Sequence, residues 1–577
     1  MSTTNTPQNG VKNGSSPAQV QVAELTKHGQ DAYEIDSFTS DSAFLATLGY
    51  KQEFKRAFRP IEVFGLSFSI IGILPSIASV IVFAIPYGGP VALVWGWAVC
   101  MFFIMFIAMA LAELGSAAPT SGGLYYWTWH YSSPRWRKLL SWLVGYSNSM
   151  GLISGVASVD WGCAVQLMAA VSIGTNQQFV PTTAQTFIAK TAPIAVYAAI
   201  LVCQAMMTSL ATSVVARLQG VFVVLNILLC LAVIIAVPAA TPAEFKNTAS
   251  YAFGGFANFY GWPNGFAFIL SFLAPMWTVG GFDAPVHISE EASNARTVVP
   301  WAIVSSVGIA GLLGWVINVV IAFYMGTDLE GIMANPIGQP MATILFNSLG
   351  RNGTLAVWSI VALVQFMMGS SSLTTASRQM FAFARDGGMP LSSAIYHVNA
   401  RTRTPVNAVW ASALVALVLG LLAFGGPAAN SAIFSLSIAG QNMAFSIPIL
   451  CRFFGGREWA PGPFQLGRFS LPVALTAVVW MVFSTTITAF PSAPAPDAGA
   501  MNYEVVVFGA WLALCLGYFY VPVYGGVHWF NGPVRTIEGA TPGPRVARRS
   551  PREASGDADG DGDGRKESPD LDEKQGV

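Results

Sequence analysis

The sequence predicts an all-α polytopic membrane protein with about twelve transmembrane helices. Of its 577 residues, 53% are hydrophobic and only 10% are charged, a balance that a fold surrounded by water has little means of accommodating. Apolar stretches of about 20 residues recur along nearly the whole length, each long enough to cross a hydrocarbon core about 30 Å thick. The Lys and Arg residues between those stretches are sorted to alternate sides, as in the loops of a multi-spanning chain.

Taken in order, hydropathy places the spans over 61–84, 89–112, 139–172, 193–211, 215–237, 265–288, 301–325, 354–383, 405–425, 430–452, 471–490 and 503–524. An even number returns both ends to one side. Loops on that side carry Arg135, Arg137, Lys138, Arg217, Arg296, Arg385, Arg401, Arg403, Arg452, Arg457 and Arg468, whereas the opposite loops carry only Lys190, Lys246 and Arg351. By the positive-inside rule both termini are expected in the cytoplasm. Adding or dropping one span scrambles the asymmetry, so the charges also support the count.

The two ends are polar, and 1–57 and 527–577 are expected to be disordered tails that cannot bury a core. No apolar stretch of a cleavable signal peptide precedes the first span, so entry into the bilayer is expected to rest on that span. A formal net charge of zero gives no bias towards nucleic acid. The six cysteines lie in apolar segments without CxxC spacing, which argues against a disulfide frame or a metal site and for small buried side chains. No cofactor-binding motif stands out.

Two spans are interrupted. Ser69-Ile70-Ile71-Gly72-Ile73-Leu74-Pro75-Ser76 puts Gly and Pro in the middle of the first, and Leu273-Ala274-Pro275-Met276-Trp277-Thr278-Val279-Gly280-Gly281 does the same in the sixth. Helices one to five (58–237) and six to ten (238–452) then form two sets of five, each opening on a broken helix. An odd number of crossings per set orients them oppositely, the inverted repeat of many secondary transporters. Helices eleven and twelve (453–526) are an addition.

A helix break exposes N–H groups at one half-helix and C=O groups at the other, which suit a substrate carboxylate and an ammonium or cation respectively. Either the breaks build such a site, with Ser69, Ile71, Gly72, Ile73, Trp277 and Thr278 against the substrate, or they only kink packed helices. Trp277 is placed to close over an amine, and Thr278 offers a hydroxyl. Asp160 stands deep in the third span, where a carboxylate must pair or take up a proton, unless it lies near the outer surface. Glu113, Asp283, His287, Glu290, Glu291, Arg378, Arg385 and Asp386 fall on the tail side, where acids and arginines either form a gate of ion pairs or hold the interface together. Ser371 and Ser372, in the run 369–375, either coordinate a cation or bond to their own helix. The fifth span has no Lys, and Asn226 is its interior polar group.

Two other matches are weaker. The tail run Asp559–Gly564 imitates an EF-hand loop, but Asp570 stands where a bidentate Glu belongs and Pro569 precedes it. Asn352-Gly353-Thr354 is a glycosylation sequon at the edge of the eighth span.

Ala112 to Trp127, Gly281-Phe282-Asp283 with Ser289-Glu290-Glu291-Ala292, and Ser377-Arg378 through Ala384-Arg385-Asp386-Gly387-Gly388-Met389-Pro390 resemble the signatures of the amino acid-polyamine-organocation transporters. The first break, Phe68 to Ser79, looks like that of the fungal amino acid/choline permeases, most of all the GABA permeases. The resemblance runs from about residue 50 to 530. It implies the five-plus-five fold and proton-coupled uptake of an amino acid or related amine through a site between helices one and six. It further implies that the backbone of Ser69 to Ile73 holds the carboxylate, that Trp277 is the aromatic gate, and that Ser371 and Ser372 match the cation-site hydroxyls of sodium-coupled relatives. Some proton-coupled relatives place a Lys in the fifth helix, which this chain lacks.

The expected function is therefore secondary transport with a small-molecule substrate, protons and the lipid bilayer as partners, in the plasma membrane or alternatively the vacuolar one. A choline or polyamine carrier of the same fold and a non-transporting nutrient sensor are the rival readings. No nucleophile and base set suggests an enzyme, and no ring of charges suggests a channel.

Overall fold

The computed structural model describes residues 41–176, 187–422, 427–496 and 501–536. They fall within one compact unit that ends at Glu538, and a second unit, Gly539–Val577, lies outside the described residues, as does the EF-hand-like run. Among the described residues every regular element is helical, apart from an isolated bridge between Phe58 and Ala292. Among the described residues eight helices are long and apolar enough to cross a bilayer, and four shorter apolar ones, Ala192–Thr208, Asn264–Thr278, Val406–Gly420 and Glu504–Tyr520, occupy the remaining predicted positions.

The first span is two helices, α1 (Pro60–Ile71) and α2 (Ile73–Val80), separated by Gly72 in the left-handed region at φ 45° and ψ 62°. Pro75, one turn on, has no N–H to return to Ile71, and the hydroxyl of Ser76 donates to that carbonyl instead at 2.6 Å. The second to fifth spans follow as α3 (Trp97–Ala117), α5 (Arg137–Gly174), α6 (Phe187–Thr208) and α7 (Thr212–Ala240), with the short α4 (Gly123–Tyr131) between α3 and α5.

The sixth span is interrupted within 273–281, the stretch its Pro and Gly residues mark. Its α8 (Asn264–Leu270) passes into α9 (Leu273–Thr278) through a tight turn, because Pro275 cannot donate to Ser271 and Ala274 N–H does so at 3.2 Å. The full break comes later, at Val279, Gly280 and the left-handed Gly281 (φ 68°). Pro275 sits in the first turn of α9, where a missing N–H matters little, whereas consecutive glycines leave the backbone free to turn away. Only a single turn, α10 (Ala284–His287), and a 3₁₀ turn at Ser289–Glu291 separate it from α11 (Ala295–Tyr324).

The remaining spans are α12 (Pro340–Arg385), α13 (Val406–Gly420), α14 (Pro427–Phe454), α15 (Ser470–Thr488) and α16 (Glu504–Tyr520). The backbone of α12 bends at Gly350 (φ 67°, ψ −177°), two residues before Asn352 of the sequon. The long α5 packs on both α12 and α14, and α3 packs on α11. Small residues permit these approaches: a Cβ on Gly440 would sit 2.9 Å from the Cα of Gly151, where α14 crosses α5. Along α7, Val221, Val224, Leu228, Leu231 and Ile235 form an exposed apolar stripe suited to lipid. Cys203 of α6 is likewise exposed, unlike the other five cysteines, which are buried.

The tails are ordered further than their composition suggests. Residues 41–47 are helical, and Ala57 and Phe58 N–H groups donate to Glu291 O at 3.0 and 3.1 Å. From the other end, Thr536 N–H donates to Gly49 O at 2.9 Å and Thr536 Oγ1 accepts from Lys51 N–H at 2.7 Å. Expected tail boundaries at 57 and 527 thus fall inside ordered chain, because these polar segments find hydrogen-bond partners in each other and in the α10–α11 turn. Both tails leave from the same end of the bundle.

Candidate functional site

A small cavity lies where the two breaks meet the centre of the bundle. It is lined by Ile70 of α1, Leu152, Gly155 and Val159 of α5, Trp277, Gly280 and Gly281 at the end of α9, Met368, Ser372 and Thr375 of α12, and Ser437 and Gln441 of α14. Its free volume of about 30 Å³ is room for a water or two, so an amino acid fits only when the walls separate. No ionisable side chain lines it. Trp277 closes one side, its ring 4.9 Å from that of Phe434 and its Nε1 donating to Ser158 Oγ at 3.0 Å.

Most polar groups on these walls have given their hydrogens away. Ser372 donates to Met368 O at 3.0 Å, Thr375 to Ser371 O at 3.2 Å and Ser437 to Gly151 O at 3.0 Å. The Gly280 N–H is held by Trp277 O at 3.2 Å. The hydroxyl oxygens keep lone pairs, so these walls accept hydrogen bonds more readily than they donate them.

Among the residues expected at the site, Trp277 lines the cavity and Thr278 does not. Thr278 Oγ1 donates to Ala274 O at 2.8 Å and faces a separate void shared with Ile77, Val80 and Asn318. Of the first break, Ile70 reaches the cavity, while Ile71 and Ile73 are buried elsewhere and Gly72 abuts Met368, whose sulfur would lie 2.7 Å from an added Cβ. Ser69 is buried with its hydroxyl unpartnered. Ser372 lines the cavity, but Ser371 turns to α7 and donates to Gln219 Oε1 at 3.0 Å. Gln219, buried in the fifth span two turns before Asn226, is a polar partner that the sequence alone did not single out.

Asp160 lies in the interior of α5, away from any outer surface, fully buried. Its Oδ1 accepts from Gln204 Nε2 at 2.8 Å, its Oδ2 has no partner, and a Cβ on Gly369 would sit 2.1 Å from Oδ1. Gln204 of α6 was also missed. A lone Gln inside an apolar span is the signal that finds such residues, since at that depth it needs a polar partner.

The tail-side acids and arginines converge in pairs. Glu290 is gripped by Arg385 at 2.9 and 3.0 Å and also accepts from Ser121 N–H at 3.0 Å. Glu291 meets Arg378 at 2.9 Å, and Glu113 meets Arg452 at 2.6 and 2.9 Å. Asp283 bonds His287 at 3.1 Å, directly below the Gly281 break, with Asn148 of α5 beside them. Asp386 accepts from Tyr50 of the first tail at 3.0 Å, Tyr125 of α4 at 2.7 Å and the Val534 N–H of the last tail at 3.0 Å. Burial works against charge on Glu290, but the Arg385 guanidinium, its paired hydrogen bonds and the Ser121 N–H outweigh it and hold the carboxyl below its ordinary 4.5. At Asp386 burial wins and pushes the carboxyl up from 3.8, against the pull of Arg385 and the two tyrosines.

Comparison with known proteins covers nearly this whole structure. A family model described as "Amino acid permease" matches residues 60–511. A GABA-specific permease from Saccharomyces cerevisiae is 38% identical over 525 residues, which cover 89% of this chain and 90% of the relative. An uncharacterized amino-acid permease from Schizosaccharomyces pombe is 37% identical over 87% of this chain and 90% of its own. The amino-acid permease BAT1 of Arabidopsis thaliana is 33% identical over 88% of this chain and 99% of its own.

Proposed function

Because this chain belongs to the amino acid permease family, we propose that it imports a zwitterionic amine of the GABA kind by proton symport and alternating access. The coarser statement, a multi-pass membrane protein of a family that moves amino acids, follows from membership and from the apolar helices. The observation that carries the finer reading is the central cavity with no ionisable wall. Such a site suits a ligand of zero net charge and offers no counter-charge to choline or a polyamine.

In this reading the breaks after Ile71 and Thr278 lie in the first helix of each of two inverted five-helix repeats, 58–237 and 238–452, and the ion pairs at the tail end close that side while the substrate is held. Asp160 carries the coupling proton, supported by its full burial and its unpartnered oxygen. The arginine-rich loops support cytoplasmic tails, and the proposed location is the plasma membrane, with the vacuolar membrane as the alternative.

The test is uptake by purified protein in proteoliposomes under an inward proton gradient, with radiolabelled GABA, neutral amino acids, choline and putrescine. Accumulation of GABA or another zwitterion is expected. Binding without flux would sink the carrier reading in favour of a sensor, and preferential uptake of choline or putrescine would sink the zwitterion reading. Asp160→Asn should abolish gradient-driven accumulation while sparing substrate exchange, and an unchanged pH dependence in that variant removes Asp160 from coupling.

A further inference from the structure

Resting on that transport reading, we propose that Gln441 is the side chain that reads the substrate's carboxylate, and that it sets the preference for amines that carry one. Gln441 is 8% exposed and lines the central cavity from α14, one residue past the Gly440 contact with Gly151 that fixes where α14 crosses α5. Its Oε1 accepts from the Gly281 N–H at 3.4 Å, across the break of the sixth span. That N–H fixes the orientation of the amide, because the flipped form would set two donors against each other. The Nε2 hydrogens have no protein partner among the described residues, and Gln441 stands where this cavity adjoins a second one bounded by Asn442, Trp480 and Ser484.

The other walls offer no rival donor. Ser372, Thr375, Ser437, Trp277 and Gly280 have each bound their hydrogen to another protein group. A carboxylate entering this cavity therefore finds Nε2 of Gln441, and beside it the Gly281 N–H, whose present contact is long enough to be exchanged. The ammonium at the substrate's other end meets the lone pairs of Ser372 and Thr375 on α12. Recognition of the carboxylate is thereby assigned to α14 and the second break. The first break contributes the apolar side chain of Ile70.

The experiment uses the full chain in proteoliposomes and compares 4-aminobutyrate, or the zwitterion of the panel that the wild type takes up best, with its carboxamide. Wild type should favour the acid at least tenfold. Gln441→Met keeps the length of the side chain without a donor and should raise KM for the acid about 10–100-fold, the loss expected for a hydrogen bond to a charged group, while leaving the carboxamide within about threefold. Gln441→Glu should reverse the preference. A Gln441→Met protein present in normal amount with unchanged acid KM overturns the assignment. So does a wild type that treats acid and carboxamide alike, a comparison that needs no variant to fold. If the wild type moves no zwitterion at all, the transport reading itself has failed and this inference falls with it.

Discussion

Ser76 illustrates how single residues make the breaks tolerable in a bilayer. It lies four residues after Gly72 and supplies the hydrogen bond that Pro75 withholds from Ile71. Ser76→Ala should lower the apparent melting temperature in detergent by the equivalent of about 1–3 kcal/mol, the cost of an unsatisfied buried carbonyl. At the second break, Gly281 combines a φ of 68° with an added Cβ only 2.6 Å from Ile70 Cγ2. Gly281→Ala should reduce uptake severely even where the protein reaches the membrane, measured against its surface amount. Gly72, Pro75, Pro275 and Gly281 were legible in the sequence because Gly and Pro carry their backbone rules with them. Which side chains turn into the cavity was not legible, since Thr278 and Gln441 are decided by rotation about helices whose apolar character is nearly uniform.

At the scale of elements, the sequence identified the acids and arginines that would meet but not their pairing. Glu290 and Glu291 are adjacent, yet one reaches Arg385 and the other Arg378, a choice set by the 3₁₀ turn at Ser289–Glu291. Removing one partner of such a buried pair is expected to cost more than removing both. Arg385→Met should destabilise by about 3–5 kcal/mol, and Arg385→Met with Glu290→Met by clearly less, compared as melting temperatures. The pH dependence follows from the lowered carboxyl of Glu290. Its contribution is fully present above the ordinary value of 4.5 and is lost only as pH falls through the lower folded value. The difference in melting temperature between wild type and Glu290→Gln should therefore stay constant from about pH 8 to pH 5 and shrink only in stronger acid.

For the whole molecule, the span count and the common side of the two tails were readable from hydropathy and loop charge, because a bilayer imposes one length and one sorting rule on every crossing. The order in the tails was not readable. Polar segments such as 49–58 and 531–536 carry no periodic signal, and their structure depends on partners far away in sequence. If the tails are cytoplasmic, an epitope fused at either terminus should be reached by antibody only after cells are permeabilised.

Because Thr536 is hydrogen bonded to the backbone of Gly49 and Lys51, the ordered polypeptide is nearly a closed ring. A chain whose ends already touch can be rejoined there and opened elsewhere with little loss of structure. Joining residue 536 through a flexible linker to residue 41, so that the 41–47 helix is kept, and opening the chain between the exposed residues 400 and 401 gives a circular permutant that retains all the spans. In that permutant the ninth span would be synthesised first and the broken first span only after the twelfth. Its uptake, compared with that of the parent chain, measures how much assembly depends on the order of birth of the helices rather than on their final neighbours.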